Sequence, residues 1–129
     1  MSTIVKINKG LNISLAGKAE KIFIRPEKAK KYAVQPTDFH GLTPKLAVKI
    51  GDTVKAGSCL FYDKYNPDVL FTAPVSGEVV EINRGERRRL LEVVINPDND
   101  IAYENFSKAD QKSLSREDII KKMLRSGTC

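Results

Sequence analysis

Lys64 stands ahead of the stretch Phe71-Thr72-Ala73-Pro74-Val75-Ser76-Gly77-Glu78-Val79. A primary amine on a tight hairpin can carry an amide-linked prosthetic group, biotin or lipoate, provided a ligase can reach it and the arm can swing. A strand followed by small-Pro-x-x-Gly-x-Val is a turn that suits such a scaffold. Ala73, however, lies nine residues beyond Lys64, and the extra length falls in Tyr65-Asn66-Pro67-Asp68. Proline pre-sets φ for the second position of a β-turn, so Asn66 reads as the first position, Pro67 as the second and Asp68 as the third. The tip then falls after Lys64, not on it. The Met-Lys-Met or Asp-Lys-Ala setting of a modified lysine is also missing, since Asp63 and Tyr65 flank Lys64. Lys64 is expected to be an unmodified surface lysine, with a carrier domain modified on Lys64 as the competing reading.

Arg84, Arg87, Arg88 and Arg89 are the densest basic cluster. In a strand, Arg87 and Arg89 would share one face and Arg88 the other. That face could meet phosphates, carboxylates or a partner subunit; a charged edge strand that blocks sheet-to-sheet aggregation is the plainer reading. These four residues are the candidate partner-contact residues. Asp38, His40 and Asp52 are the only hints of acid–base chemistry, and their spacing does not bring them together. Neither a nucleophile context nor a nucleotide-binding glycine pattern is present, so no catalytic residue is assigned. His40 is the lone histidine and cannot build a zinc site without cysteine neighbours; no metal or cofactor site is assigned either. Cys59, between Ser58 and Leu60, reads as a small buried apolar residue.

The elements that must position these residues are short strands. Residues 4–7, 11–15, 21–25 and 31–36 alternate apolar and polar at or near period two, with Gly10, Gly17, Pro26 and Pro36 as breakers. Residues 45–63 and 69–83 each read as strand, glycine turn and strand, two related hairpins packed face to face. Residues 83–98 add a hairpin through Gly85. The segment 113–127 changes character. Ser115 with Asp118 makes a capping box, Leu114 and Ile119 a hydrophobic staple, and Gly127 the stop. Ile119, Ile120, Met123 and Leu124 form one apolar face of a helix over 116–126. The organisation expected is a β domain over 1–100 and a linker with a capped helix over 101–129.

The 129 residues suffice for one domain with a core, and 29% charged against 41% hydrophobic residues is ordinary globular composition. No apolar run approaches the length that spans a bilayer. Two cysteines without a C-x-x-C pattern fit a reducing compartment. The net charge of +6 is uneven: residues 1–64 carry 12 Lys/Arg against 5 Asp/Glu, residues 65–129 carry 10 against 11. The basic half could face acidic neighbours or anionic lipid head groups. A nucleic-acid-binding module is the other reading of that charge, but interleaved aromatics and a recognition-helix pattern are lacking, and scattered lysines usually form a solvated face.

Three stretches carry a resemblance to a known family. "IVKINKGLNISLAGKAE" (4–20), "VKIGDTVKAGSCLFYDKYNPDVLFTAPVSGEVVEINRGERRRLLEVVI" (48–95) and "LSREDIIKKMLRSG" (114–127) resemble, in order, the N-terminal region of the NqrA subunit of the bacterial sodium-translocating NADH:quinone oxidoreductase. The related C-type subunit of the Rnf complex shares single motifs. Ser14 stands where the family often has proline. The resemblance implies a mainly β barrel-sandwich hybrid, the lipoyl/biotinyl-like architecture without its prosthetic group, with N-terminal strands and a C-terminal helix. It implies a module of a protein that continues past the helix, lying peripherally on the cytoplasmic face of the bacterial inner membrane. It further implies a complex that oxidises NADH, reduces ubiquinone and exports sodium, with flavins and iron–sulfur centres mainly in other subunits. The family has been linked to quinone binding, to which no residue of this chain is assigned. The fragment alone is expected to be non-catalytic.

Overall fold

The structure, a computed structural model, describes Ile4, Lys6, Gly10 and residues 15–128. The strands expected over 4–7 and 11–15 lie, apart from Ile4, Lys6 and Leu15, outside the described residues. From Tyr32 onward, alternating β-branched and aromatic residues find partners. Seven strands form among the described residues: β1 (Tyr32–Val34), β2 (Pro44–Leu46), β3 (Thr53–Val54), β4 (Cys59–Asp63), β5 (Leu70–Thr72), β6 (Gly77–Arg84) and β7 (Leu90–Pro97). An α-helix, α1 (Arg116–Arg125), follows. A four-stranded sheet runs in the order β1-β7-β6-β3 and a three-stranded sheet in the order β2-β4-β5. The strand pairs are antiparallel.

The two halves read as separate hairpins are interlocked instead. Thr53 and Val54 pair with Glu78 and Gly77, while Cys59 to Tyr62 pair with Thr72 to Leu70. Each half therefore crosses from one sheet to the other, and its two strands pair with the strands of the other half. The corners explain the crossing. Pro74 has no N–H for a ladder, and the Gly57 and Ala73 amides bond across to the carbonyls of Ala73 and Ser58, both at 2.8 Å. The β6–β7 hairpin through Gly85 forms as expected, with Val79 opposite Ile95 and Ile82 opposite Val93.

Between the sheets lies one core of Val54, Leu60, Phe61, Val79, Val93 and Ile95. Burying each such side chain contributes roughly 1.5–3 kcal/mol. Phe71 extends this core, stacked on Phe61 at 5.1 Å and tilted against Phe39 at 4.5 Å. Gly77 sits where β6 meets β7, with φ at +156°; a Cβ there would lie 1.9 Å from the Asn96 carbonyl oxygen. Only glycine lets the two backbones approach this closely. Ser76 is the buried polar residue beside it, and it is satisfied. Its Oγ accepts from the Ala102 amide at 2.8 Å and its carbonyl from the Asp98 amide at 2.9 Å. These bonds, with a parallel bridge between Ala56 and Tyr103, lay residues 98–104 along the sandwich.

Residues 21–25 do not form the expected strand. Their alternation supplies an apolar side, but they pair with no strand among the described residues, and Ile22, Phe23 and Ile24 are exposed. Period two gives a segment the pattern of a strand; a ladder partner is still needed to satisfy its backbone. At the other end, α1 is set by its own sequence. Ser115 and Asp118 form the reciprocal capping box. At the C-terminus the Gly127 amide bonds to Leu124 O and the Thr128 amide to Met123 O, each at 3.1 Å, a complete Schellman motif. The helix ends at Arg125 and Ser126 is its cap.

Candidate functional site

The β4–β5 loop settles where the chain turns. The Val69 amide bonds to the Asn66 carbonyl at 2.9 Å, so Asn66 to Val69 make the β-turn with Pro67 and Asp68 at its centre. Lys64 lies before that turn. Its amide bonds to the Thr43 carbonyl at 2.9 Å, prolonging the β2–β4 ladder, and its Nζ lies 5.6 Å from the centre of the Tyr65 ring. The neighbouring Asp63 organises this corner. Its carboxylate accepts from the Asn66 side chain at 3.1 Å, the Thr43 amide at 3.3 Å and the Tyr65 amide at 3.5 Å. Partial burial works against its charge, yet the hydrogen bonds outweigh burial and hold the carboxyl below its ordinary value. Nothing in composition singled out Asp63. The signal was local: an Asp three residues before Asn-Pro-Asp, able to fold back on the turn that follows.

The arginine cluster is not a strand face. β6 stops at Arg84 and β7 starts at Leu90, and both are inner strands of their sheet, so edge protection does not apply. Arg87 and Arg88 instead form the hairpin tip with φ of 53° and 61°. The alternation expected of Arg87, Arg88 and Arg89 fails because consecutive left-handed residues reverse the chain. Arg84 is occupied within the loop, its Nη1 donating to the Arg88 carbonyl at 3.0 Å. Arg87, Arg88 and Arg89 are exposed.

Asp38 and His40 line a cavity of about 670 Å³ with Phe39, Leu42, Leu70 and Phe71; Asp63 and Gly127 lie on its wall. Asp52 lies apart, its carboxylate accepting from the Lys49 amide at 2.8 Å. The three acid–base hints are thus not one constellation: two share a wall and the third closes a turn. Cys59 is half-buried rather than buried. Desolvation raises its thiol above the ordinary value despite a backbone hydrogen bond from Phe71. Among the described residues, no cluster of His, Cys, Asp or Glu could hold a metal ion, and no helix is long and apolar enough to cross a membrane.

The helix is docked at its C-terminal end. A Cβ on Gly127, whose φ is +73°, would come within 2.7 Å of Thr72 Oγ1 in β5. Leu124 and Lys121 face Pro67 and Leu70 across a shallow cleft. Lys122 Nζ ties the helix to Ser107, at 3.1 Å to the carbonyl and 3.0 Å to Oγ. Ile119, Ile120 and Met123 stay exposed.

Two sheets that exchange strands around one core, entered through paired Gly and Ala-Pro corners, define a barrel-sandwich hybrid. The chain belongs to the family described as the NqrA N-terminal barrel-sandwich hybrid domain, whose model matches residues 5–98. It is 39% identical over 126 residues to a Neisseria meningitidis protein and 40% identical over 124 residues to one from a Marinomonas species. A Haemophilus influenzae protein is 38% identical over 126 residues. Each is named as the A-type subunit of Na(+)-translocating NADH-quinone reductase. These alignments take in 95–96% of this chain and 28% of each relative, so the chain spans a little over a quarter of the length of the relatives it matches.

Proposed function

We propose that the chain is the N-terminal module of the NqrA subunit of a Na+-translocating NADH:ubiquinone reductase, and that it works there as a non-catalytic scaffold. The observation that carries this is the collinear match of nearly the whole chain to the first domain of that subunit. In this reading the module sits peripherally at the cytoplasmic face of the membrane, in a complex that couples NADH oxidation to ubiquinone reduction and sodium export. Flavins, iron–sulfur centres and NADH are handled by other parts of the complex. The module's own task is to hold neighbouring subunits, and the β6–β7 tip with Arg87, Arg88 and Arg89 is its contact point.

A domain exchange tests this. Residues 1–129 replace the matching region of the Haemophilus influenzae relative, and sodium-stimulated NADH:quinone reduction is measured in membranes. Retention of an assembled, sodium-stimulated enzyme is expected. A chimera that carries the folded module and is inserted stably, yet never joins the other subunits, would contradict the proposal.

The carrier reading has one residue to stand on, Lys64. Its position before the Pro67-Asp68 tip, with its amide already in the ladder, supports an unmodified lysine. The barrel-sandwich architecture is then used for its rigidity rather than for a swinging arm.

A further inference from the structure

The β6–β7 hairpin ends in a conformation its residues disfavour. Arg87 has φ 53° and ψ 29°, and Arg88 has φ 61°. Left-handed backbone drives an L-residue's Cβ toward the following carbonyl oxygen. Two such residues in succession make the geometry of a type I′ turn, for which Asn-Gly is the favoured pair. Here both central positions carry arginine, the bulkiest of cations. The strain is held in place from below. The Arg89 amide bonds to Glu86 O at 3.1 Å, the Gly85 amide to Arg89 O at 2.9 Å, and Arg84 Nη1 to Arg88 O at 3.0 Å. Strain kept by an over-determined surrounding marks places where the side chain is wanted for contact.

The hairpin is also a stalk. β3 pairs with β6 only at Glu78 and Gly77, and β1 pairs with β7 only at Val93 to Ile95. The turn end of β6–β7, beyond Asn83 and Glu92, thus extends past its neighbours in the sheet. Arg84 serves the loop, and Arg87, Arg88 and Arg89 are left facing outward.

We propose that this tip is a rigid docking finger for an acidic protein surface, with the Arg87 and Arg88 guanidinium groups gripping Asp or Glu carboxylates of the partner. A guanidinium fork matches a carboxylate with two parallel N–H···O bonds, which a lysine cannot do. A lipid surface fits less well. Residues 85–89 include no apolar residue to enter a bilayer, and Glu86 puts a carboxylate in the same loop. Nucleic acid fits less well too, since the tip has no aromatic residue for base stacking. The inference rests on reading the tip as a contact between subunits and adds the chemistry of what it meets.

The test uses the 129-residue chain and three probes: a glutamate-rich synthetic peptide, vesicles of equimolar phosphatidylglycerol and phosphatidylcholine, and duplex DNA. R87N/R88G installs the favoured turn pair and removes both forks. It is expected to raise the thermal midpoint by about 4 °C or more and to weaken peptide binding by at least ~10-fold. K28Q/K30Q removes the same charge from exposed positions and is expected to weaken peptide binding by less than ~3-fold. R87K/R88K keeps charge and backbone, so its midpoint stays at the wild-type value while peptide affinity still falls. Equal losses in R87N/R88G and K28Q/K30Q would overturn the proposal, as would an unchanged or lowered midpoint in R87N/R88G. Tip-dependent binding of vesicles or DNA in preference to the peptide would overturn it as well. The domain exchange keeps the wild-type tip, so the scaffold reading and the finger can fail separately.

Discussion

Asp63, not Lys64, is the residue that the β4–β5 corner is built around. Half-buried, it keeps its charge because the Asn66 side chain and the amides of Thr43, Tyr65 and Asn66 favour the carboxylate. Its folded value lies below the unfolded aspartate value of about 3.9. A group shifted in that direction contributes stability that is fully present above the unfolded value and is lost as pH falls through the folded one. Acid unfolding followed by circular dichroism should therefore be less steep in D63N than in the wild type, with the midpoint at neutral pH lowered. Identical acid limbs would show that the corner does not depend on this charge. Gly77 gives the second residue-scale expectation. The Asn96 carbonyl oxygen occupies the place of its Cβ, so Gly77→Ala must push β6 off β7. A loss of at least about 3 kcal/mol in urea unfolding is expected; a loss under about 1 kcal/mol would mean that the two strands can part without cost.

Among the elements, α1 is the one its own residues specify. Ser115→Ala removes the oxygen that accepts the Asp118 amide, and caps of this kind are worth about 1 kcal/mol. Amide exchange over Arg116–Arg125 should quicken while β6 and β7 keep their protection; quickening in both would mean that the helix and the sandwich open as one unit. The helix was legible in the sequence to within a residue, since its capping box and Gly127 are local signals. The strands from β4 to β7 were legible as strands, because alternation and glycine placement are local too. Their pairing was not. That β3 joins β6 and β4 joins β5 depends on corners that meet only after the chain has folded. Residues 21–25 show the converse: alternation without an available edge. The Arg87–Arg88 turn was hidden because arginine gives no hint of positive φ, and Asp63 because its partners Thr43 and Asn66 lie on two different loops.

At the scale of the molecule, the fold and the use made of it come apart. The interlocked corners at Gly57 and Ala73-Pro74 build the barrel-sandwich architecture on which swinging arms are mounted elsewhere. The β4–β5 loop, though, carries its tip at Pro67-Asp68 and commits the Lys64 backbone to the sheet. The α1 helix then rests its C-terminal end on β5 through Gly127 and Thr72, beside the same loop. Charge follows a similar division: the excess of cations lies in residues 1–64, whereas the arginine finger projects from an almost neutral second half. The central claim is that this architecture serves as a fixed, unmodified scaffold. Intact mass spectrometry of the chain, co-expressed with biotin and lipoate ligases and supplied with both acids, tests it most directly. The mass of the bare polypeptide is predicted, differing from that of Lys64→Ala by the substitution alone; a biotinyl or lipoyl increment on the wild type that Lys64→Ala abolishes would contradict it.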